Sequence, residues 1–383
     1  MKRRTFLGGA AALTLTGTGA LAANATGQRR LLVILLRGGM DGLAAIPPVG
    51  DSGLREIRAG LTPSTTLAGN DFFGVHPALP TFASLMGLGE AVAIHATGFA
   101  YRGRSHFEGQ DIMQSGVEKP FASQSGWIGR AMQKSGTGSS VAISIPMPLI
   151  LRGDPGAETE FPTAIPAPPA STYAAVREMW ATDVSLSALN QRAYKGGANG
   201  MMHNESEESF EERRSPQGLA HQAGTRMAPD DGPLVGLIDL VGFDTHAAQG
   251  ADEGMQATRL QMVDDIIRAY KSAAGLRWKQ SLVLTVTEFG RTAVQNGTTG
   301  SDHGWGGCIL AAGGLVQKSG VVADWPGLGR SKLWESRDLA VTMDAKAVYA
   351  EALQSVFGLS AAQIQDGVLG YSPHPLAQQL FKL

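Results

Sequence analysis

Cysteine is nearly absent from this sequence, which contains a single one, Cys308, among 383 residues. An intrachain disulfide is therefore excluded, and so is a redox pair of the Cys-x-x-Cys type. The cysteine sits in the apolar run GGCILAAGG, which favours a buried and inert thiol.

A charge excess, a membrane-length apolar run and a cofactor fingerprint are also missing. The 32 lysines and arginines nearly balance the 34 acidic residues, so we expect no nucleic-acid partner. No run approaches the roughly 20 apolar residues of a transmembrane helix, so we expect no stable membrane span. The absence of a haem motif and of a dinucleotide fingerprint disfavours a redox protein.

The N-terminus has the pattern of an export signal. The basic run Lys2–Arg4 precedes Phe6 and Leu7, and a mildly apolar stretch then leads to an A-x-A cleavage site at Ala20–Ala22. This pattern predicts a twin-arginine signal peptide over residues 1–22. We therefore expect the twin-arginine export machinery as a partner and a periplasmic or secreted location. A disordered basic tail is the alternative interpretation.

Continuous apolar runs predict strands that are buried on both faces, as in parallel sheets. The clearest runs are Leu31–Leu36, Ala91–His95, Leu234–Val241 and Leu282–Thr287. The amphipathic stretch Gln256–Ala274 predicts a crossover helix between the last two. The predicted fold class is α/β with a mostly parallel central sheet. We expect one domain over residues 31–383, with a flexible polar insertion at about 195–216.

The stretch Leu282–Trp305 carries the strongest signal for a functional site. Its apolar run ends in Glu288, a turn-rich loop follows, and Asp302 and His303 then stand side by side. Ligands in open α/β sheets gather outside the carboxyl ends of the strands. We therefore predict that these three side chains bind a metal ion.

Two further strand ends supply polar groups. Asp41 follows the first predicted strand, and Asp244 and His246 follow the third. Residues two apart in an extended chain point to the same side, so the latter two can converge on one metal ion. Helix capping is the alternative role of Asp41. A histidine held by its neighbouring aspartate without a metal is the alternative for the other pair.

Three residues are candidates for direct roles in catalysis. Ser105 and His106 open a predicted helix, where a nucleophile gains from the helix dipole, although helix capping alone can also explain the serine. Arg291, or Arg104 instead of it, could bind the oxygens of an ester through a bidentate contact. For Arg291 the alternative role is a structural pair with Glu288.

Mixed carboxylate and imidazole ligation suits Zn²⁺ or Mn²⁺, and the candidates suffice for one or two ions. Two metals roughly 3.5–4 Å apart would clamp the attacking and leaving oxygens of a displacement at phosphorus. A serine beside such metals could act as a covalent nucleophile. The predicted metal ligands are Asp41, Asp244, His246, Glu288, Asp302 and His303.

The order of these motifs is similar to that of the alkaline phosphatase and sulfatase superfamily. More closely, LLVILLRGGMDGL, RSHFEGQD, GFDTHAAQG and TEFGRT…GSDHGWGG resemble the exported domain-of-unknown-function family fifteen-oh-one. The resemblance covers most of the chain from Leu31 onward. It implies an α/β/α sandwich of the alkaline-phosphatase type, with the same six metal ligands and with Ser105 at the nucleophile position.

The chain also departs from the superfamily pattern. It has Asp-Thr-His where zinc phosphatases have Asp-x-x-x-His, and Glu288-Phe289 where they have Asp-His. The surroundings of Ser105 lack the proline and arginine of a formylglycine site.

Two functions follow as expectations. The first is an exported metal-dependent hydrolase of phosphate or sulfate esters, acting on a small molecule or a polymer. The alternative is a non-catalytic accessory envelope protein with a protein partner.

Overall fold

The computed structural model describes residues 28–162, 170–183 and 207–383. The predicted signal peptide, residues 1–22, and residues 195–206 of the predicted insertion lie outside these ranges. The flexible insertion therefore stays a prediction there, whereas the residues that follow form helices from Glu207 and from Pro216. No helix within the described ranges combines the length and apolarity that crossing a bilayer requires.

The described strands form one sheet, and each predicted apolar run lies in it. The strands are β1 (Arg30–Arg37), β2 (Ala91–Gly98), β3 (Ser140–Ile143), β4 (Glu158–Thr159), β5 (Val235–Val241), β6 (Ser281–Thr287), β7 (Gly307–Ala312), β8 (Gly320–Val322) and β9 (Met343–Asp344). Their order across the sheet is β4-β3-β5-β1-β6-β7-β2-β8, and β9 also pairs with β2.

The sheet is mostly parallel, as predicted. Strand β1 pairs in parallel with β5 on one side and with β6 on the other. Among the described strands only β7 runs antiparallel to its neighbours. In register, Arg37 lies opposite Val241, and Leu36 lies opposite Thr287. The carboxyl ends of β5, β1 and β6 therefore meet side by side at one edge.

Helices connect these strands and cover the sheet. The α-helices are α1 (Gly42–Ala45), α2 (Gly53–Arg58), α3 (Pro80–Gly87), α4 (His106–Ser115), α5 (Trp127–Ser135), α6 (Ala170–Trp180), α7 (Glu207–Arg214), α8 (Pro216–Met227), α9 (Met255–Ala274), α10 (Ala345–Phe357) and α11 (Ala361–Gln365). Helix α9 is the crossover helix predicted between β5 and β6.

The core has two halves, one on each face of the sheet. Along β1, Leu31, Val33 and Leu35 pack into one half, and the alternating residues pack into the other. Residues of α4, α5 and α10 complete the first half, and residues of α3, α8 and α9 complete the second. The predicted α/β/α sandwich is thereby confirmed.

The single cysteine lies where its apolar surroundings predict. Cys308 is buried in β7 and forms no disulfide. Burial raises the pKa of its thiol above the ordinary value, so the reactive thiolate form is disfavoured.

A buried histidine in β2 makes the stability of the fold depend on pH. His95 is fully buried, its Nδ1 accepts from the Ala96 amide at 2.8 Å, and its Nε2 contacts the Ile46 carbonyl at 3.2 Å. Burial lowers its pKa to about 4. Because an unfolded histidine titrates near 6.5, only the unfolded chain gains this proton between the two values. Stability is therefore lost as the pH falls from about 6.5 toward 4.

We predict that His95→Gln reduces this acid sensitivity. Between pH 7.5 and pH 5 the wild type should lose about 2 kcal/mol more unfolding free energy than the variant. Urea unfolding at both pH values measures the difference. His221→Gln, which replaces an exposed histidine of α8, is the matched control. Equal losses of unfolding free energy in the wild type and in His95→Gln would contradict the assignment of the acid sensitivity to His95.

Candidate metal centre

Neighbouring parallel strands bring the predicted site residues to one edge of the sheet. Asp244 and His246 follow β5 by a few residues, and Glu288 follows β6 directly. Helix α4 places His106 at the same edge, and the long loop after β6 brings His303 back to it.

Three imidazoles direct their Nε2 atoms toward the carboxylate of Asp244. His246 Nε2 lies 2.9 Å from Asp244 Oδ1, and His303 Nε2 lies 3.1 Å from the same oxygen. His106 Nε2 lies 3.4 Å from Oδ2. The ligand atoms of His106, Asp244 and His303 all lie within 4.8 Å of one another. His246 extends this group, since its Nε2 is 3.0 Å from that of His303.

The other nitrogen of each ring, Nδ1, contacts an acceptor outside this group. The pairs are His106 with Glu288 Oε1 at 2.9 Å, His246 with Asp302 Oδ1 at 2.9 Å, and His303 with the carbonyl oxygen of Arg104 at 2.8 Å. A carbonyl oxygen or an ionised carboxylate only accepts hydrogen bonds, so each Nδ1 carries a proton. Such partners fix the orientation and the tautomer of histidines that bind metals.

These tautomers leave electron-rich atoms facing one another. With Nδ1 protonated, each neutral ring presents the lone pair of Nε2. The lone pairs of His246 and His303 then face each other at 3.0 Å, and both face Asp244 Oδ1. The buried Nε2 of His106 has no hydrogen-bond partner within the described residues. A cation among these atoms would turn the repulsion into attraction.

The distances from the Asp244 oxygens to the imidazoles fit a first-row divalent ion. Four ligands at Zn–N distances of about 2.0–2.1 Å in a tetrahedron lie about 3.3 Å apart. The contacts of His106, His246 and His303 with Asp244 range from 2.9 to 3.4 Å. A set of imidazoles and one carboxylate suits Zn²⁺ or Mn²⁺ better than it suits Ca²⁺.

For Asp244, Asp302 and His303, the direction of the pKa shift favours the protonation state that metal binding requires. Burial would raise the pKa of Asp244, but the hydrogen bond and charge of Arg291 outweigh it and hold the pKa below its usual value. The hydrogen bond from His246 lowers the pKa of Asp302. Burial lowers the pKa of His303 and so favours its neutral form. The cluster thus combines ionised carboxylates with a neutral imidazole.

Glu288 is a buried partner of His106 and lies behind it. Its Oε1 accepts hydrogen bonds from the Gly38 amide at 2.8 Å and from Gln110 Nε2 at 3.2 Å, in addition to His106. Burial opposes ionisation, but these hydrogen bonds keep the pKa of Glu288 below its usual value. The same contact raises the pKa of His106. Glu288 therefore orients a member of the cluster.

Arg291 is buried behind Asp244, and its donors are already used. Its Nη1 contacts Asp244 Oδ1 at 2.5 Å and the carbonyl oxygen of Gly38 at 3.2 Å, and its Nε donates to Ser301 Oγ at 3.2 Å. The alternative that it pairs with Glu288 is wrong, since its ionic partner is Asp244. This position suits a residue that orients Asp244.

The structure does not bring Asp41 into the group. Its carboxylate caps α1 by accepting from the amides of Leu43 and Ala44 at 3.1 and 3.2 Å, so the capping interpretation is confirmed. The same carboxylate forms a buried ion pair with Arg58 and accepts from Gln249 Nε2 at 2.6 Å. The Asp41 carboxylate therefore bonds to groups that stabilise the fold and not to the imidazoles of the cluster.

A buried hydrogen-bonded chain nevertheless links Asp41 to the cluster. Gln249 Oε1 accepts from Ser301 Oγ at 2.5 Å, and Ser301 Oγ accepts from Arg291, which holds Asp244. The sequence analysis did not identify Gln249, Ser301 or Arg58. The one signal that could have found Gln249 and Ser301 is that each stands close in the chain to a predicted ligand.

Ser105 lies at the N-cap position of α4, directly before His106. Its side chain makes no capping hydrogen bond, so the capping interpretation is wrong. Its backbone amide donates to the hydroxyl of Tyr101 at 3.1 Å. The serine is half-buried at the edge of the sheet that carries the cluster.

Two glycines allow the segments that carry the cluster to touch. A Cβ atom on Gly38, whose φ is +114°, would lie 2.4 Å from the amide nitrogen of Asp244. A Cβ atom on Gly300 would lie 2.4 Å from the carbonyl carbon of His246. No side chain fits such close backbone crossings, so glycine is required at both positions.

The family model described as "Protein of unknown function (DUF1501)" matches residues 122–368, which is more than half of the chain. The chain belongs to this family. The resemblance inferred from its motifs is thus confirmed. No curated protein matched the sequence.

Several solved structures resemble the DUF1501 chain. The PsFucS1 sulfatase from Pseudoalteromonas sp. has 12% identity and a TM-score of 0.45, with 95% of this chain and 74% of that chain covered. The zinc complex of the periplasmic domain of EcEptC from Escherichia coli has 7% identity and a TM-score of 0.38, with 75% and 73% covered. The phosphonate monoester hydrolase of Agrobacterium radiobacter has 9% identity and a TM-score of 0.33, with 74% of this chain and 68% of that chain covered. The function of the chain therefore has to be inferred from the chemistry of its site.

Asp41→Asn tests whether this carboxylate supports the fold. The amide keeps the shape and the capping oxygen but leaves Arg58 as an uncompensated buried charge, so we expect a loss of about 3–5 kcal/mol of unfolding free energy. Urea unfolding measures the loss. Asp230→Asn breaks the ion pair of an exposed aspartate with Arg277 and should change stability little. Equal stability of the two variants would refute the structural role.

Proposed function

We propose that the chain is an exported, divalent-metal-dependent hydrolase of phosphate or sulfate esters. One observation carries the proposal, namely three imidazole Nε2 atoms that converge on Asp244 while each Nδ1 is held by an acceptor. The side chain of Asp244 is 40% exposed, so an ester can reach the group from solvent. A buried structural metal site would offer no such access.

The ligand set leaves room for catalysis. We assign His106, Asp244 and His303 as the three protein ligands of a four-coordinate Zn²⁺, whose fourth position would stay open. In a six-coordinate Mn²⁺ site His246 would be a fourth ligand, and two positions would stay open. Catalytic sites keep a coordination position that no protein side chain fills. A divalent cation held there would supply Lewis-acid polarisation of the ester oxygens.

The remaining candidate residues would orient the metal ligands or attack the ester. We assign Glu288 and Asp302 to orienting His106 and His246, and Arg291 to orienting Asp244. Ser105 is the proposed nucleophile, because its hydroxyl does not cap α4 and stands at the electropositive helix end. Its oxygen would form the new bond to phosphorus or sulfur as the alcohol oxygen of the ester departs, and the proton lost by Ser105 would balance the one that the departing oxygen gains. Water would then cleave the serine ester, releasing phosphate or sulfate and restoring Ser105.

Metal analysis of the purified protein tests the proposal. We expect bound Zn or Mn that falls in His303→Ala and Asp244→Asn, and an affinity about 10–100-fold lower in Asp302→Asn, which removes an orienting partner. His221→Gln is the control, because it removes an exposed histidine of α8. Aryl phosphate, phosphodiester and aryl sulfate hydrolysis should require the same metal. A wild type without metal and without turnover would end the proposal.

Ser105→Ala separates metal binding from chemistry. We expect full metal content with turnover reduced by about a thousandfold or more, as for other nucleophile deletions. Unchanged turnover would show that water attacks instead. Metal retention by the wild type without hydrolysis of any tested ester would favour an accessory envelope protein.

Export rests on the basic run Lys2–Arg4 and the A-x-A site at Ala20–Ala22. We expect replacement of Arg3 and Arg4 by lysine to retain the precursor in the cytoplasm. Cell fractionation and the mass of the exported protein measure this. Unimpaired export of the double variant would contradict the twin-arginine route.

A further inference from the structure

Arg102 lies between two indole rings. Its Cζ is 4.2 Å from the ring centre of Trp305 and 4.1 Å from that of Trp334. The two indoles meet edge to face, with ring centres 5.3 Å apart. The attraction between a cation and the faces of aromatic rings holds the guanidinium in place.

The indole of Trp305 and the backbone of Trp334 are both held by hydrogen bonds. Trp305 Nε1 donates to the carbonyl oxygen of Phe99 at 2.8 Å. The backbones of Trp334 and Asp338 exchange hydrogen bonds of 2.8 and 2.9 Å. These contacts limit the positions that the two rings, and the guanidinium between them, can take.

Arg102 differs from the arginines around it. Arg104 forms ion pairs with Glu335 at 2.5 Å and with Asp338 at 2.7 Å, and Arg337 pairs with Asp338 at 3.0 Å. Arg102 is exposed, and within the described residues it makes no hydrogen bond and no ion pair. Glu335 lies in its electrostatic range but is already bonded to Arg104. The N–H donors of Arg102 are thus available to a ligand.

This arginine borders the candidate metal centre on the side of His303. Trp305 stands two residues after His303 in the chain. The carbonyl oxygen of Arg104 accepts from His303 Nδ1 at 2.8 Å, and Arg337 donates to the His303 carbonyl oxygen at 2.7 Å. Arg102 precedes Arg104 by two residues, so the segments that carry Arg102 and Trp305 both adjoin His303.

We propose that Arg102 is a specificity-determining residue that binds a second anionic group of the substrate, separate from the ester that is cleaved. The inference rests on the proposed function and narrows its substrates to polyanionic esters. A planar guanidinium bonds sulfate, phosphate or carboxylate through two parallel N–H donors. Because Trp305 and Trp334 cover the guanidinium, its orientation favours contacts in its own plane.

Binding of inert sulfonates to the metal-loaded mature protein tests the inference without turnover. Alkane disulfonates of increasing length are titrated by calorimetry at constant ionic strength, with methanesulfonate as the single-charge reference. For one chain length we expect binding at least about tenfold tighter than for methanesulfonate. The length series locates the distance between the two anion positions.

Three variants identify the group responsible. Arg102→Gln should bind the best disulfonate hardly more tightly than methanesulfonate, so the tenfold preference would be lost. Arg102→Lys should restore little of that preference, because lysine lacks the planar pair of donors. Arg268→Gln removes an arginine of α9 whose side chain is 58% exposed and should keep the preference. Equal preferences in Arg102→Lys and wild type would reduce the effect to net charge and overturn the inference.

The outcome distinguishes this inference from the proposed function. A protein that binds metal but shows no preference for any disulfonate overturns the role of Arg102 and leaves the hydrolase proposal standing. A protein that binds neither metal nor any sulfonate overturns both.

Discussion

The parallel pairing of β1 with β5 and β6 is the constraint on which the rest of the site depends. Adjacent strands lie about 4.8 Å apart, so the loops that leave their carboxyl ends must crowd into a small volume. Gly38 and Gly300 permit that crowding by allowing one backbone to press against another. Asp244 and His246 then meet His106 and His303, although long stretches of chain separate the three segments.

Crowding of this kind has an electrostatic consequence. The acceptors behind His106, His246 and His303 fix the proton on Nδ1 and turn three lone pairs toward one carboxylate. The free energy of such an arrangement is unfavourable without positive charge in its midst. Arg291 supplies part of that charge from behind Asp244, and a divalent cation would supply the rest from the solvent side.

Fold stability and site geometry share one buried network. Asp41 and Arg58 form a buried ion pair that also anchors α1, and Gln249 connects it to the groups behind Asp244. Buried charges are tolerated only when they are paired and hydrogen-bonded, so each of these side chains holds the next in place. Residues outside the cluster therefore hold Asp244 in place.

The strands, the layered α/β class and the strand ends that carry Asp244, His246 and Glu288 could be predicted from the sequence alone. Apolar runs and the polar residues after them are local signals, and local patterns record which residues are buried. The burial of Asp41, and the positions of Glu288 and Asp302 behind histidines, became evident in the folded chain. Those roles depend on partners distant in the chain, such as Gln249, which is 208 residues from Asp41. No spacing in the sequence encodes that Asp41 is enclosed by Arg58, Gln249 and backbone amides while Asp244 faces three imidazoles.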